Sequence, residues 1–304
     1  MAGGGAILAA MPSGTREREG APTREREGAP DRVRRRPEQL LLAFLGELVL
    51  DRAVAPVASV TLVDVLAELG VGEAATRAAL ARMARRGLLD PVRSGRTVAY
   101  DLTPASERVL RDAHGRIFAA DPFAPEGAGW TLVTFSVPES QRDLRHRVRA
   151  QLAWAGFGLL RDGLWIAPGE VDVAEVLGEL APDAPGLDLA AFRAVEVDGF
   201  SAARSVRTAW RLDEIRDRHR AFQEQWSAWR PDRSGGPSGA VCDLTALVAD
   251  WLALLRAVPR LPAEHLEADW PSAASVDLFR RLHDALAAPA RAELARRLEP
   301  APGA

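Results

Sequence analysis

The sequence contains no lysine, no asparagine, a single cysteine and a single tyrosine. It also lacks any run of about 18 apolar residues. Each absence excludes something. Without lysine there is no GxxxxGK[ST] phosphate loop, and all 39 basic residues are arginines. Every cationic contact therefore comes from a planar guanidinium fork and not from a point charge. The bias itself reads as the codon usage of a GC-rich genome. One cysteine, Cys242, cannot form a disulfide within the chain, which fits a reducing cytoplasm. The lack of a long apolar run argues against a membrane partner. The opening MAGGGAILAAMP is short and has no basic start, a poor secretory leader, so a cytoplasmic location is expected.

Catalytic signatures are missing too. His114, His146, His219, His265 and His283 are scattered, with no HxxxH or HExxH spacing and no Cys/His pair. GxSxG does not occur, and the GxG at 156–158 falls in a strand-like run with no helix after it. No metal, no cofactor and no catalytic residue is expected, and the chain reads as a non-enzyme.

The positive signal lies in residues 61–102. A helical pattern at Thr61–Leu69, with Thr61 as its N-cap, ends at Gly70-Val71-Gly72. An arginine-rich helical pattern follows at Glu73–Arg86. Two strand-like runs, Leu88–Val92 and Thr97–Leu102, flank the turn Arg93-Ser94-Gly95-Arg96. Helix, tight turn, arginine helix and hairpin in that order describe a winged helix-turn-helix, whose second helix is the size of a DNA major groove. Net charge is −3, so affinity for nucleic acid must come from local clustering. Residues 73–96 supply it, with Arg77, Arg82, Arg85, Arg86, Arg93 and Arg96 against only Glu73 and Asp90.

At 100° per residue, Thr76, Ala79, Leu80 and Met83 share a core-facing sector. Ala74, Ala78, Ala81 and Arg85 face the opposite way, flanked by Arg77 and Arg82. A face of small residues lets a helix sit deep in a groove while the flanking arginines reach base edges or phosphates. The expected DNA contacts are Thr76, Arg77, Ala78, Ala81, Arg82, Arg85, Arg93 and Arg96, the last two from the hairpin tip. The partner is double-stranded DNA. A solvated helix on a protein-interaction module is the alternative.

Around this unit the chain is divided as follows. Residues 1–36 read as a disordered Arg/Glu-rich tail, with TREREGAP repeated at 15–22 and 23–30. Residues 37–120 form the DNA-binding domain, opened by a helix from Pro37. Asp121–Gly129 reads as a linker. Residues 128–198 follow a βαββαβ order, a ferredoxin-like domain: a strand at Trp130–Val137, a helix at Gln141–Ala155, strands at Phe157–Leu160 and Leu164–Ala167, a helix at Val171–Leu180 and a strand at Leu187–Val197. Residues 199–304 are helical, with a break near Pro289. The fold class is α+β multidomain. A ferredoxin-like unit can be a metal-dependent nuclease with an Asp at the end of its first strand. That strand ends Ser136-Val137-Pro138-Glu139, which argues against it.

FLGELV (44–49), GFGLLRDGLWIAP (156–168), AWRLDEI (209–215) and LPAEHLEADWPS (261–272) resemble motifs of the PaaX family, bacterial regulators of phenylacetic acid catabolism. The resemblance runs from about Pro37 to about Leu286. It implies a winged helix, a Cas2-like ferredoxin domain and a C-terminal α-helical domain. It further implies a dimeric repressor released by an aryl-CoA thioester, typically phenylacetyl-CoA or another acyl-CoA. Two departures stand out. Val258-Pro259-Arg260 precedes Leu261-Pro262 where the family has a DP dipeptide, and Ser272-Ala273 follows Trp270-Pro271 where it often has glycine. For a phosphate-bearing effector, Arg145, Arg149, Arg207 and Arg211 are the candidate cationic residues, and Trp210 and Trp226 the candidate aromatic ones. Arg147 and Arg204, and the aromatics Phe222, Trp229, Trp251 and Trp270, are further candidates.

Overall fold

The computed structural model describes residues 35–52, 56–94, 97–178, 180, 187–199, 201–229 and 239–299. The repeated tail and Arg96 lie outside them. The described chain divides into two compact units. One holds the described residues through Arg111, with those of 236–249 and 286–304; the other holds those of 112–235 and 250–285.

In the first unit, α1 (Pro37–Leu48) starts at a proline whose missing N–H would have had no helical partner in any case. Leu40, Leu41, Phe44, Leu45 and Leu48 are buried to within about a hundredth of their surface, so α1 is apolar nearly all round and forms the core. After β1 (Val57–Ala58) comes α2 (Ser59–Glu68), then α3 (Glu73–Arg85). The expected cap at Thr61 is corrected. The helix starts two residues earlier, after Ala58, and no side chain caps it. Gly70, at φ 83°, makes the left-handed turn that ends α2. Two strands, β2 (Leu89–Ser94) and β3 (Thr97–Leu102), pair antiparallel from Leu89↔Leu102 to Ser94↔Thr97, and β1 adds to the far edge of β3. Helix α4 (Pro104–Ile117) follows, its start fixed by Thr103 and Ser106, which exchange hydrogen bonds as buried neighbours.

The second unit carries a four-stranded antiparallel sheet. Its strands are β4 (Trp130–Ser136), β5 (Gly158–Arg161), β6 (Leu164–Pro168) and β7 (Asp188–Ala194), in the order β5-β6-β4-β7. That is the spatial order a βαββαβ chain gives when its first and third strands are central. Helix α5 (Arg142–Trp154) buries Leu144, Val148 and Leu152 against Val133, Trp165 and Ala167. The second helix, α6 (Val173–Leu177), has five residues where the sequence suggested ten; Asp172 caps it by accepting from Glu175 N.

The stretch 121–129 is not a free linker. Phe123 is buried, and Gly169 N and Glu170 N donate to Gly129 O and Glu126 O, both at 2.7 Å. Gly169 sits at φ 69°, and a Cβ there would run into the Glu126 carbonyl. The chain then continues as α7 (Ala203–Ala209), α8 (Leu212–Ser227), α9 (Ala240–Ala257) and α10 (Ser272–Leu298). Helix α10 does not break at Pro289. Leu286, Ala287, Ala290 and Leu294 are all buried around the proline, and that burial outweighs one lost backbone hydrogen bond.

Candidate nucleic-acid interface

Helix α3 divides cleanly by burial. Thr76, Ala79, Leu80 and Met83 are at most 1% exposed and face the core. Ala74, Arg77, Ala78, Ala81, Arg82 and Arg85 are exposed. The outer surface is therefore small in the middle and cationic at its sides.

The arginines are not equivalent. Arg77 lies one turn from Glu73, with Nε 2.7 Å from the carboxylate, and both are solvated. Such an exposed pair is weak and readily exchanged for a phosphate. Arg85 and Arg93 are exposed and meet no acid among the described residues. Arg82 donates through Nε to Glu38 of α1 at 2.8 Å, and Arg86 reaches the other oxygen of the same carboxylate at 3.4 Å. Glu38 is 8% exposed, so this cluster fixes α3 against α1. Sequence spacing places Arg82 on the flank of the face but does not show that a buried carboxylate holds it. Arg86 and Glu38 were missed for the same reason: their partnership crosses more than 40 positions.

One expected contact is corrected. Thr76 is fully buried, and its hydroxyl donates back to Gly72 O at 3.3 Å. It tightens the first turn of α3 and presents nothing to a groove. Ala78, Ala81, Arg77 and Arg85 remain together on one exposed face. Arg93, on β2 opposite Val98, lies one pair before the last described pair of the hairpin.

Helix α2, which precedes α3, is tied down by a second ionic cluster. Arg297 bonds Glu68 at 2.8 Å and Glu293 at 2.6 Å, and the buried Cys242 thiol donates to Glu68 at 3.2 Å. The Arg297 hydrogen bond holds the Glu68 carboxyl below its ordinary range. Burial, aided by Glu68, pushes the Cys242 thiol far up, so it stays protonated and unreactive.

The candidate effector residues are not gathered at one place. Arg145 donates to Val137 O at 2.8 Å, and Arg149 lies over the Trp165 ring at 5.9 Å. Arg207 is exposed on α7, and Arg211 pairs with Glu214 at 2.8 Å. Trp210 is buried with its indole N–H on Gly156 O at 3.2 Å, and Trp226 is buried with its N–H on Asp250 at 3.1 Å. Both are core residues. Trp251 likewise stacks on Phe279, with ring centres 4.5 Å apart, in the core. None of the six lines the large cleft of the second unit, a space of about 800 Å³ walled by Phe123, Trp130, His265 and Trp270. Trp270 is the one member of the wider aromatic set that does.

Among the described residues, no group of three or more His, Cys, Asp or Glu side chains could hold a metal ion. No helix among them is long and apolar enough to cross a membrane.

Three family models match the chain in series. They are the PaaX-like protein at residues 36–106, the PaaX protein central Cas2-like domain at 124–204, and the PaaX-like protein C-terminal domain at 210–296. The transcriptional repressor PaaX of Escherichia coli (strain K12) is 34% identical over 121 residues, 39% of this chain and 37% of that protein. The alignment thus spans little more than a third of the relative's length. A solved structure, the uncharacterized protein Rv0674 from Mycobacterium tuberculosis, is similar in fold. It superposes with a TM-score of 0.55 at 22% identity over 86% of this chain and 99% of that one. With the models following one another from residue 36 to residue 296, the chain belongs to the PaaX-like family.

Proposed function

We propose that this protein is a DNA-binding transcriptional regulator whose helices α2 and α3 and hairpin β2–β3 work as a winged helix-turn-helix. The exposed face of α3 carries the proposal: Ala78 and Ala81 at its centre with Arg85 one turn further along the same sector, and Arg77 at its side, on a helix whose opposite face is core. The alanines let the backbone approach thymine methyls, and Arg77 and Arg85 reach guanine edges or phosphates. Arg93, and Arg96 beyond the described residues, hold phosphates from the hairpin. Arg82 contributes less directly, because Glu38 shares it.

The similarity to a protein named a transcriptional repressor supports the sign of the regulation. The family resemblance supports the remaining assignments. The protein acts as a homodimer on a two-fold operator of an aromatic-acid catabolic operon, released by an aryl-CoA thioester. Residues 37–120 bind DNA, 128–198 form the ferredoxin-like domain, and 199–304 form the helical effector and dimerisation domain.

The test is binding to the protein's own upstream DNA at two salt concentrations, with and without phenylacetyl-CoA. Specific, salt-sensitive binding that the thioester abolishes is the expected result. Specific binding that ignores the thioester removes that effector and keeps the regulator. Absence of sequence-dependent binding to this DNA or to a random operator library overturns the DNA-binding assignment in favour of a protein-interaction module.

A further inference from the structure

The cleft of the second unit has the wrong charge for a polyanion. Among the described residues, Asp121, Glu196, Glu264 and Glu267 line it and no arginine does, in a chain with 39 arginines. Its walls are aromatic: Phe123, Trp130 and Trp270. Aromatic faces beside carboxylates are the surroundings that a desolvated organic cation prefers, since the ring quadrupole and the anions both attract it. The chain itself shows this chemistry at the cleft wall. The Arg216 guanidinium lies over the Trp270 ring at 5.2 Å while it pairs with Glu267 and Asp269.

With Glu267 so engaged, the other acids remain. Glu264 is exposed and has no cationic partner among the described residues. Glu196 accepts from Ala202 N at 3.0 Å and lies 2.8 Å from His265 Nε2, and that imidazole stacks on Trp130 with ring centres 5.6 Å apart. Behind the aromatic wall His219 is fully buried and outside the cleft, its ring against both Phe123 and Trp270, so it holds the two rings in place from the core side.

We propose that this cleft is a binding site for a small aromatic ligand carrying a protonated amine, its ring against the tryptophan walls and its ammonium between Glu196 and Glu264. The volume, about 800 Å³, suits such a molecule. The site is separate from the DNA-binding face and from the arginines suggested for a thioester.

The test uses the full-length protein without DNA, so a failure of the regulator assignment does not affect its outcome. 2-Phenylethylammonium chloride is titrated by calorimetry, with phenylacetate and coenzyme A as anionic probes. The expected result is saturable one-site binding of the ammonium compound that neither anion displaces. Glu264→Gln should weaken it about tenfold with an unchanged melting temperature, the loss of one charge-assisted contact, and Glu196→Gln should weaken it and also lower the melting temperature, since that carboxylate accepts from Ala202 N and pairs with His265. Glu264→Gln is the cleaner variant, because Glu196 also holds Ala202 N and His265. The proposal is overturned by no saturable binding up to millimolar ammonium, by displacement with phenylacetate or coenzyme A at similar concentrations, or by full affinity in Glu264→Gln.

Discussion

The exposed face of α3 and the cleft of the other unit are opposites in charge and in construction. The first is a helical surface where arginines flank alanines. The second is built from loops, where carboxylates flank aromatic rings. A net charge of −3 describes neither. The difference teaches that near-neutrality can be the sum of two segregated fields, and that the ligand proposed for each region carries a charge the other disfavours.

The sharpest way to break this contrast is to remove one region's support and leave the other intact. Trp251 is fully buried, stacked on Phe279, in the unit that holds the cleft. Trp251→Ala should cost about 3–5 kcal/mol there. Leu80, 1% exposed, is the corresponding anchor of α3, and Leu80→Ala should cost about 2–5 kcal/mol. Urea denaturation followed by calorimetry and by DNA binding separates them. Leu80→Ala should abolish DNA binding at temperatures where wild type binds, and equal losses of DNA binding in the two variants would show that the regions are not independent.

A smaller effect belongs to the cleft unit alone. Burial lowers the pKa of His219 to about 4, against about 6.5 in an unfolded chain. Above pH 6.5 both states are neutral and nothing is lost. As pH falls from about 6.5 towards 4, the unfolded chain takes up a proton that the folded one refuses, so stability declines, by about 2 kcal/mol near pH 5. His219→Gln should flatten that slope in melting curves taken between pH 7 and pH 5. A slope unchanged by the substitution would place the dependence elsewhere.

Within α3 the contrast sharpens between neighbours. Arg85→Ala should weaken operator binding by about 1–3 kcal/mol and leave the melting temperature unchanged. Arg82→Ala should lower both, because it leaves the buried Glu38 carboxylate with only Arg86 at 3.4 Å; the stability loss is held to about 1 kcal/mol by the half-exposed guanidinium. Thr76→Ser, at a buried position, should leave DNA affinity intact. A drop in affinity there would restore Thr76 as a contact.

What was legible in the sequence follows from what periodicity encodes. The core and outer faces of α3 are set by a 3.6-residue period, so Leu80, Met83 and the alanines were placed by counting alone. The βαββαβ succession of residues 128–198 was legible for a similar reason, through alternation along each strand. Three things were not. Glu38 meets Arg82 from a distant helix, and no local pattern encodes that. Helix α10 passes Pro289 because buried neighbours hold it, a tertiary effect that overrides a local breaker. The cleft is assembled from 121–130, 195–196, Ile215 and 258–272, four segments whose chemistry shows only once they meet. The aromatic residues were visible, but most of the tryptophans suggested for a pocket became core, and Trp270 alone faces the cleft.

The finest distinction is between contacts that read sequence and contacts that only hold phosphate. Arg93 sits on β2, exposed and with no acidic partner among the described residues, and in the proposed docking it meets the backbone and not the groove. Its contribution should be electrostatic alone. Each phosphate neutralised releases a share of condensed counterion, so removing one contact lowers the slope of log affinity against log salt by about 1. Arg93→Ala should therefore weaken binding by a similar factor on operator and random DNA, most strongly at low salt. Arg77→Ala, on the side of α3 proposed to face bases, should weaken the operator more than random DNA and change the ratio of the two affinities. If Arg93→Ala altered that ratio while Arg77→Ala left it alone, the roles of helix and hairpin would be exchanged, and the hairpin would be the element that reads the sequence.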